Sequence, residues 1–458
     1  MSFEGVEEKD SAEKRHNIDK EDVFRMARNN NVQFIRMQFT DIVGAMKSVT
    51  IPLSQLPKAL DGEIMFDGSS IEGFVRIEES DMYLRPDPAT FLIYPWLVAD
   101  GGTEARLMCD VYTYDGMPFA GCPRNALQRV LAEAGELGYG MCVGPELEFF
   151  LFHRDERGRP TTVTHDKAGY FDMAPVDKGE AARHDIVVNL QKMGFEIEAS
   201  HHEAAPGQHE IDFKYTDALE MADKMVTFRF VVRSIAQRHG LHATFMPKPI
   251  KGISGSGMHV NQSLFKDGRN AFINSEDPQK LSAVAYQYIA GVLAHARAFT
   301  ALTNPTVNSY KRLVPEYEAP CHIAWSERNR SPLIRIPAKR GMSTRIEIRS
   351  ADPSCNPYLA LAVQLKAGLD GIKKGLKPPE PVDINIFDLT DEELTRMGIE
   401  ILPRDLKEAL RELTRDDVIR DALGPHIYSR FLEAKSREYE EYNTTVHDWE
   451  IKQYLATY

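Results

Sequence analysis

Several features that mark common protein classes are missing from this sequence. No apolar run approaches the roughly 18 residues that a membrane-spanning helix needs, and no block of lysine or arginine offers a nucleic-acid contact. The N-terminus also lacks the basic and then apolar segments of a secretion signal. With 458 residues, 43% of them hydrophobic, and a formal net charge of -13, the chain predicts a cytoplasmic globular protein of several domains, with no membrane or direct nucleic-acid partner.

Cysteine is scarce as well, and its spacing excludes two further classes. The five cysteines are an odd number and contain no CxxC pair, which argues against a disulfide framework and against structural zinc. We expect free thiols that pack as small hydrophobic side chains.

Apolar patterning divides the chain into three parts and predicts an α+β fold. Residues 1–17 are charged and lack apolar periodicity, so they predict a flexible extension. Alternating strand patterns predict a small strand-rich domain over 18–118. In 119–458 strands mix with long helices; a helix that opens at Cys122 is predicted to end at Gly135, and another begins at Asn356-Pro357, where Asn is an N-cap.

Six side chains suited to metal binding stand in short motifs of the second domain. They are Glu146, Glu148, Glu203, Glu210, His259 and Glu347. Five carboxylates and one imidazole carry too much negative charge to gather without cations. Hard oxygen ligands with a single nitrogen suit Mg²⁺ or Mn²⁺ better than zinc. The sequence therefore predicts a divalent-metal site, a kind that usually handles phosphate.

Strand periodicity assigns faces to some of these residues. Glu146 and Glu148 lie two apart, so both project from one face of a sheet. Arg345, Glu347 and Arg349 share a face for the same reason, although such a stripe is also typical of a solvated, salt-bridged strand. His201, His202 and His209 flank the motif of Glu203. Because adjacent residues of a strand point to opposite faces, we interpret these histidines as hydrogen-bonded supports rather than as a zinc site.

A second cluster is cationic and lies in one part of the sequence. It comprises Arg312, Arg330, Arg335, Arg345 and Arg349. By itself this cluster is equally typical of surface salt bridges. Next to divalent metals, guanidinium groups favour phosphoryl transfer onto a carboxylate, where catalysis consists mostly of positioning and charge neutralisation.

Several motifs in this order resemble type I bacterial glutamine synthetase. They are Met65-Phe-Asp-Gly-Ser-Ser-Ile71, Gly255-Ser-Gly-Met-His259, Asn308-Ser-Tyr-Lys-Arg-Leu-Val-Pro315, Tyr317-Glu-Ala-Pro320 and Asn329-Arg-Ser331. The resemblance covers nearly the whole chain. It implies a β-grasp domain over 18–118 and a catalytic domain over 119–458, with a curved antiparallel sheet flanked by helices. It also implies a homo-oligomer of stacked rings, commonly a dodecamer, with active sites between subunits.

The resemblance also implies a role for individual residues. The ligands implied for one Mg²⁺ or Mn²⁺ ion are Glu148, Glu203 and Glu210, and those for a second ion are Glu146, His259 and Glu347. The positions implied for ATP are Glu198, Asn261, Ser263, Arg330, Arg335 and Arg345. Those implied for L-glutamate are Ser254, Gly255, Arg312, Glu318 and Arg349. Those implied for ammonium are Asp67, Ser70, Tyr170 and Glu203, and Arg76 is implied in feedback inhibition.

The implied reaction needs three groups in particular. ATP converts the glutamate γ-carboxylate to an acyl phosphate, and Arg330 neutralises the phosphoryl group in transfer. Asp67 of a neighbouring subunit takes a proton from ammonium, although in isolation Asp67 is typical of an Asp-Gly-Ser turn. Glu318 lies on a flap that excludes water.

Three positions depart from the usual pattern of that family. Glu316 stands where glycine usually precedes the flap motif, and Ser254 replaces a common asparagine. Phe387 occupies the position of a tyrosine that is adenylylated in the enterobacterial branch, and it has no hydroxyl to modify. The chain therefore resembles the Gram-positive branch, in which glutamine feedback and binding of nitrogen-responsive repressors are the implied controls.

Two other functions fit parts of the same pattern. A γ-glutamyl ligase acting on an organic amine would keep the metal and ATP residues but lose the ammonium cage, whereas Asp67, Tyr170 and Glu318 are present here. A non-catalytic sensor that captures a transcription factor would be free to lose metal ligands, and none is lost. The apolar C-terminal stretch 446–458 is predicted to dock on a neighbouring subunit.

Overall fold

The computed structural model describes residues 18–73, 81–99, 101–315 and 319–458. Its strands are β1 Val32–Thr40, β2 Met46–Pro52, β3 Ile64–Asp67, β4 Asp81–Pro86, β5 Leu92–Ala99, β6 Gly102–Thr113, β7 Gly140–Arg154, β8 Pro160–Thr164, β9 Ile197–His202, β10 Gln208–Phe213, β11 Thr216–Asp217, β12 Leu241–Thr244, β13 Met258–Lys266, β14 Arg269–Asn270, β15 His322–Ser326, β16 Pro332–Arg335, β17 Ile346–Ile348 and β18 Glu400–Ile401. Its helices are α1 Lys20–Asn29, α2 Leu56–Leu60, α3 Pro123–Glu136, α4 Glu180–Lys192, α5 Ala218–Arg238, α6 Ala283–Thr303, α7 Ser309–Arg312, α8 Pro357–Lys374, α9 Asp391–Met397, α10 Leu406–Arg415, α11 Asp417–Thr444 and α12 Asp448–Tyr454.

The N-terminal part is a β-grasp domain. Its sheet has the order β2-β1-β6-β4-β3, with β5 also on β6, and β1 runs parallel to β6. Helix α1 begins with a capping box between Asp19 and Asp22 and turns Val23 and Ala27 into the core beneath the sheet. The predicted strand-rich character of this part is confirmed. A domain boundary near residue 118 stays a prediction.

The C-terminal part is built on one large sheet. Its strand order is β18-β15-β16-β17-β13-β7-β10-β9, with β8, β11 and β12 also on β7 and β14 on β13. The predicted α+β class is confirmed, but the sheet is mixed rather than wholly antiparallel, because β15 and β16 run parallel. The connection between these two strands carries Arg330, so the parallel pair leaves that arginine in a loop at the end of β15.

Helix α8 packs on the large sheet, and its N-terminus contacts the N-terminal domain. Asn356 caps its N-terminus, and the Asn356 amide donates to the Asp41 carbonyl oxygen over 3.0 Å. Gly44 lies against Asn356 with φ +83°, where an added Cβ would be 2.8 Å from the Asn356 Cα, so a glycine is required there. Helix α8 also packs closely on α6 through Gly291 and Gly371.

Several smaller predictions also have an outcome. Helix α3 continues through Gly135 to Glu136, and the left-handed turn falls at Gly138, so the predicted end was wrong. All five cysteines are free thiols, as predicted. Of the helices in the described ranges, none combines the length and apolarity needed to cross a bilayer. Residues 1–17, Arg76, Glu316 and Glu318 lie outside the described residues.

Candidate active site

A cavity of about 700 Å³ opens over the middle of the large sheet. Four neighbouring strands, β17, β13, β7 and β10, form its floor. Strand register brings the predicted ligands together: Glu148 lies opposite Glu210, and Glu146 lies opposite His259. All six predicted metal-binding residues line this cavity, although they are far apart in the sequence.

One side of the cavity holds Glu146, His259 and Glu347. Their ligand atoms all lie within 4.8 Å of one another. His259 Nδ1 is 3.0 Å from Glu146 Oε2, and Asn261 donates to the other Glu146 oxygen over 3.0 Å. Burial alone would raise the pKa of Glu146, but hydrogen bonds with His259 and Asn261 lower it to about 2. This carboxylate is therefore ionised at any physiological pH.

Arginines complete this side of the cavity. Arg335 Nε donates to Glu347 Oε2 over 2.6 Å, and Arg349 pairs with the other oxygen of the same carboxylate. Arg345 Nε donates to Asn261 Oδ1 over 2.9 Å. Ile346 and Ile348 are fully buried on the opposite face of β17, so the predicted alternation of this strand is confirmed. The negative charge of Glu347 is thus already neutralised by Arg335 and Arg349.

The other side of the cavity holds Glu148, Glu203 and Glu210, with His201 between them. The two His201 ring nitrogens lie 3.3 Å from Glu203 Oε1 and from Glu210 Oε1. Burial and the neighbouring Glu148 and Glu210 raise the pKa of Glu203 to about 9. Burial and Glu148 likewise raise the pKa of Glu210. Without a cation these carboxylates repel one another.

Backbone and amide donors orient Glu148. The Gly257 amide donates to Glu148 Oε2 over 2.9 Å, and Gln208 Nε2 donates to the same oxygen over 2.8 Å. Gln208 Nε2 also donates to the Gly255 carbonyl oxygen over 3.1 Å. Gln208 therefore ties a predicted metal ligand to the predicted glutamate-binding loop.

Arg312 and Ser254 lie at one end of the cavity. Arg312 is 3% exposed, and its guanidinium donates to the carbonyl oxygens of Ser350 and Ala351 over 2.7 and 3.2 Å. An added Cβ at Gly257 would lie 2.5 Å from Arg312 Nη2, so only glycine leaves room for this guanidinium. Ser254, Gly255 and Arg349 complete this end.

Tyr170 and Arg330 lie at the cavity mouth. Both are exposed and both line the cavity. Phe387 and Asn385 line the cavity near them. The loop of Arg330 is fixed by Ser326, whose hydroxyl accepts from the Asn329 amide over 3.0 Å and donates to Asp383 over 2.6 Å.

Several predicted site residues lie elsewhere. Asp67 ends β3 in the N-terminal domain, where Asp67 Oδ1 accepts from the Ser69 amide over 2.8 Å and the side chain is exposed. Neither Asp67 nor Ser70 lines the cavity of this chain. Ser263 and Arg345 lie further along the site strands, outside the cavity lining. Glu198 sits where the β9–β10 ladder slips by one residue, and its charge reaches Asp212.

Sequence reasoning missed several residues that line the cavity, among them Gln208 and Asp212, and it named His201 only as a hydrogen-bonded support. Gln208 and Asp212 are two positions on either side of Glu210, so strand alternation could have placed them on its face. Burial and Glu146 raise the pKa of Asp212 to about 6. A cavity lined with carboxylates and bordered by guanidinium groups can hold divalent cations and, with them, a polyanion such as a nucleotide phosphate chain.

Comparison with known proteins agrees with this geometry. The family described as "Glutamine synthetase, catalytic domain" matches residues 120–454, and "Glutamine synthetase, beta-Grasp domain" matches residues 31–114. The chain is 60% identical over 439 residues to the glutamine synthetase of Clostridium saccharobutylicum, covering 96% of this chain and 99% of that one. It is 58% identical over 440 residues to the glutamine synthetase of Staphylococcus aureus strain Mu50, covering 96% and 98%.

Solved structures share the fold of this chain. A structure described as "GmaS/ADP complex-Conformation 1" superimposes with a TM-score of 0.86 at 32% identity, covering 95% of this chain and 99% of that chain. The two family models together match residues 31–114 and 120–454. The chain belongs to the glutamine synthetase family, whose members use ATP and divalent metals, and it catalyses the ATP-dependent formation of glutamine from glutamate and ammonia.

Proposed function

We propose that the two sides of the cavity hold two divalent cations, Mg²⁺ or Mn²⁺, with separate ligand sets. Glu148, Glu203 and Glu210 form one set, and Glu146, His259 and Glu347 form the other. The donor chemistry supports this, because oxygen-rich sets with one imidazole suit hard cations. So does the raised pKa of Glu203, which marks a site short of positive charge. When bound, the cations neutralise the carboxylates and the ATP phosphates.

The arginine side is proposed to receive ATP. Arg335 and Arg345 are anchored by Glu347 and Asn261, so their remaining N–H groups are held in place for phosphate oxygens. Arg330, in the loop at the mouth, is proposed to neutralise the phosphoryl group as it moves to the glutamate γ-carboxylate. Glu198 and Ser263 are proposed to contact the rest of the nucleotide, beyond the cavity lining.

Glutamate is proposed to bind at the end of the cavity that holds Arg312 and Ser254, and ammonium on the side that holds Glu203. Arg312 and Arg349 bind the carboxylates of glutamate, with Ser254 and the Gly255 backbone beside them. Glu203 and Tyr170 form the part of the ammonium cage that this chain supplies. Glu318 is proposed to close a flap over the acyl phosphate, which protects it from water.

Asp67 and Ser70 of a neighbouring subunit are proposed to complete the ammonium cage. One observation carries this: among the residues that the structure describes, those lining the cavity lie between 146 and 387, while Asp67 is exposed on the other domain. Hydrogen bonds from Ser69 lower the pKa of Asp67, so it is ionised and able to accept the proton of ammonium. Because catalysis then needs two chains, we propose a homo-oligomer of stacked rings, with a dodecamer as the expected form.

The C-terminal segment supports an oligomer of this kind. Helix α12 and the residues after it expose large apolar side chains, with Trp449 56%, Leu455 74% and Tyr458 99% accessible. We propose that this segment docks on a neighbouring chain. Deletion of 446–458 should lower the mass measured by size-exclusion chromatography with light scattering, and an unchanged mass would contradict docking.

Phe387 supports assignment to the Gram-positive branch. It lines the cavity and packs its ring on His322 at 5.8 Å, and without a hydroxyl it cannot be adenylylated. Control is instead proposed to rest on glutamine feedback, in which Arg76 takes part, and on binding of a nitrogen-responsive repressor. A glutamine-saturated sample should retain such a repressor when ligand-free protein does not.

The central experiment tests the proposed base. Phosphate release from ATP with Mg²⁺ and glutamate is measured with and without ammonium, in the wild type and in Asp67→Asn. We expect ammonium-dependent release that falls in Asp67→Asn by roughly 100- to 10,000-fold, the range for loss of a general base. The matched control is Asp61→Asn, an exposed aspartate of the same domain that pairs with Lys20.

Two results would contradict the proposal. Full ammonium-dependent activity in Asp67→Asn would remove Asp67 as the base. Release that ignores ammonium but rises with methylamine would favour a γ-glutamyl ligase acting on amines instead.

A further inference from the structure

A buried polar layer lies beneath the loop that carries Glu203. Its members are His165, Asp166, Asp177, Arg183, His202 and His209, each at most 7% exposed. None of them lines the cavity, so none can touch a substrate there. Because polar groups are costly to bury, we expect this layer to have a role at its position beneath the loop.

Asp166 makes the contacts that connect this layer to the loop that carries Glu203. Its Oδ1 accepts from the Gly207 amide over 2.9 Å and lies 3.3 Å from His202 Nε2. Its Oδ2 accepts from the Lys178 amide over 3.2 Å and lies 2.9 Å from His165 Nε2. Burial opposes its ionisation, but the neighbouring His165 and His202 hold the pKa of Asp166 well below its usual range.

His202 extends these contacts to two parts of the site. Its Nδ1 donates to the Glu203 carbonyl oxygen over 2.7 Å, and the His202 carbonyl oxygen accepts from the Phe171 amide over 3.1 Å. His202 immediately precedes Glu203, and Phe171 immediately follows Tyr170. A single carboxylate thus fixes both ends of the segment 202–207 and, through His202, the backbone next to Tyr170.

We propose that Asp166 is a positioning residue that sets the geometry of Glu203 and Tyr170 through His202 and Gly207. This inference rests on the proposed roles of Glu203 and Tyr170 in binding ammonium and metal. The physical reason is that Glu203 sits on a short connection between β9 and β10, where a small backbone shift would move its carboxylate away from Glu148 and Glu210. Misplacement of this kind weakens binding of ions more than binding of a large nucleotide with many contacts.

Asp177 offers a matched control within the same layer. It is also buried, accepts from Arg183 Nη1 over 2.7 Å and from the Gly179 amide over 2.8 Å, and is bonded to neither end of the Glu203 segment. Arg183 in turn donates to His209 Nδ1 over 2.9 Å. Substitution of Asp177 should therefore cost stability as substitution of Asp166 does, without moving Glu203.

The test is steady-state kinetics on the full oligomer of Asp166→Asn, Asp166→Ala, His202→Gln and Asp177→Asn, together with melting temperatures. For Asp166→Asn and His202→Gln we expect the KM for ammonium and the half-saturating Mn²⁺ concentration to rise by about 10- to 100-fold. The KM for ATP should stay at the wild-type value. Asp166→Ala, which loses every contact, should show the larger rise. Asp177→Asn should lower the melting temperature and leave the KM for ammonium unchanged.

Other outcomes separate this inference from the proposed function. If Asp166→Asn only lowers the melting temperature, as Asp177→Asn does, the role is structural and the inference is wrong. If Asp166→Asn does not fold, His202→Gln decides in the same way. Glu203→Gln is measured in parallel: if it leaves the KM for ammonium unchanged, the proposed role of Glu203 fails. If Glu203→Gln raises that KM and the Asp166 and His202 variants do not, only the positioning inference fails.

Discussion

The two sides of the cavity gather similar carboxylates but surround them differently. Glu146 and Glu347 meet His259, Asn261 and two arginines, and the pKa of Glu146 falls to about 2. Glu203 and Glu210 mostly meet other carboxylates, and the pKa of Glu203 rises to about 9. The first side is electrically balanced by the protein, whereas the second side lacks positive charge.

This difference suggests that the two sides serve different parts of the reaction. On the balanced side, guanidinium groups and carboxylates hold one another in place, which is useful where a phosphate chain must be received in a fixed geometry. On the unbalanced side, the proposed cations would contribute most of the attraction, which suits a site proposed to bind ammonium as well as a metal. Neutralising one glutamate on each side should therefore change the stability of the metal-free protein in opposite directions.

Glu347→Gln should have the largest effect. Removing its charge leaves the buried Arg349 and the half-buried Arg335 without their partner, which should cost about 3 kcal/mol of unfolding free energy in metal-free protein. Turnover should fall by roughly 100- to 1000-fold. Denaturant unfolding in EDTA and phosphate release measure the two effects. The control is Glu327→Gln, which loses only the partly exposed pair with Arg340. If metal-free Glu347→Gln is as stable as the wild type, the protein's own charges do not balance this side of the cavity.

Glu203→Gln should have the opposite effect on the metal-free protein. Because its neighbours Glu148 and Glu210 repel its charge, the neutral amide should leave the metal-free protein at least as stable as the wild type. Affinity for Mn²⁺ should still fall by at least about 10-fold, since a ligand is lost. Titration calorimetry and unfolding in EDTA measure the two quantities. A destabilised Glu203→Gln would show that this side is not short of positive charge.

Much of this site could be predicted from local sequence. Period-two alternation correctly placed Glu146 with Glu148 and placed Arg345, Glu347 and Arg349 on one face. It also placed His201 and His202 on opposite faces, since His201 lines the cavity and His202 faces Asp166. Such predictions work because a strand fixes the side-chain direction of each residue relative to the next.

The remaining features depend on contacts that local patterns do not contain. The parallel pairing of β15 with β16 is set by tertiary packing. Helix α3 ends at the left-handed turn of Gly138 and not at Gly135, which is exposed and keeps a helical backbone. Asp166 lies in no recognisable motif, and its contacts with His202 and Gly207 form only when β8, β9 and β10 are assembled. The roles of Asp67 and Ser70 depend on a second chain, so one folded chain leaves them as predictions.

A smaller effect is expected where charges are balanced outside the cavity. His295 of α6 lies 2.6 Å from Asp416 and 3.0 Å from Asp370, and Lys374 also pairs with Asp370. Burial would lower the pKa of His295, but the two aspartates raise it. The charged histidine therefore stabilises the fold fully below its ordinary pKa of about 6.5, and this contribution is lost as pH rises through the raised value.

His295→Gln tests this prediction against the wild type in metal-free protein. At pH 6 the variant should be less stable by about 1.5 kcal/mol, the lower end of the range for hydrogen bonds to charged groups, and the difference should shrink towards pH 9. Urea unfolding at both pH values measures it. Because the change isolates one histidine, the pH response of the cavity carboxylates cancels in the difference. A gap that widens with pH would mean that His295 is held neutral and that the two aspartates do not stabilise a charged imidazole.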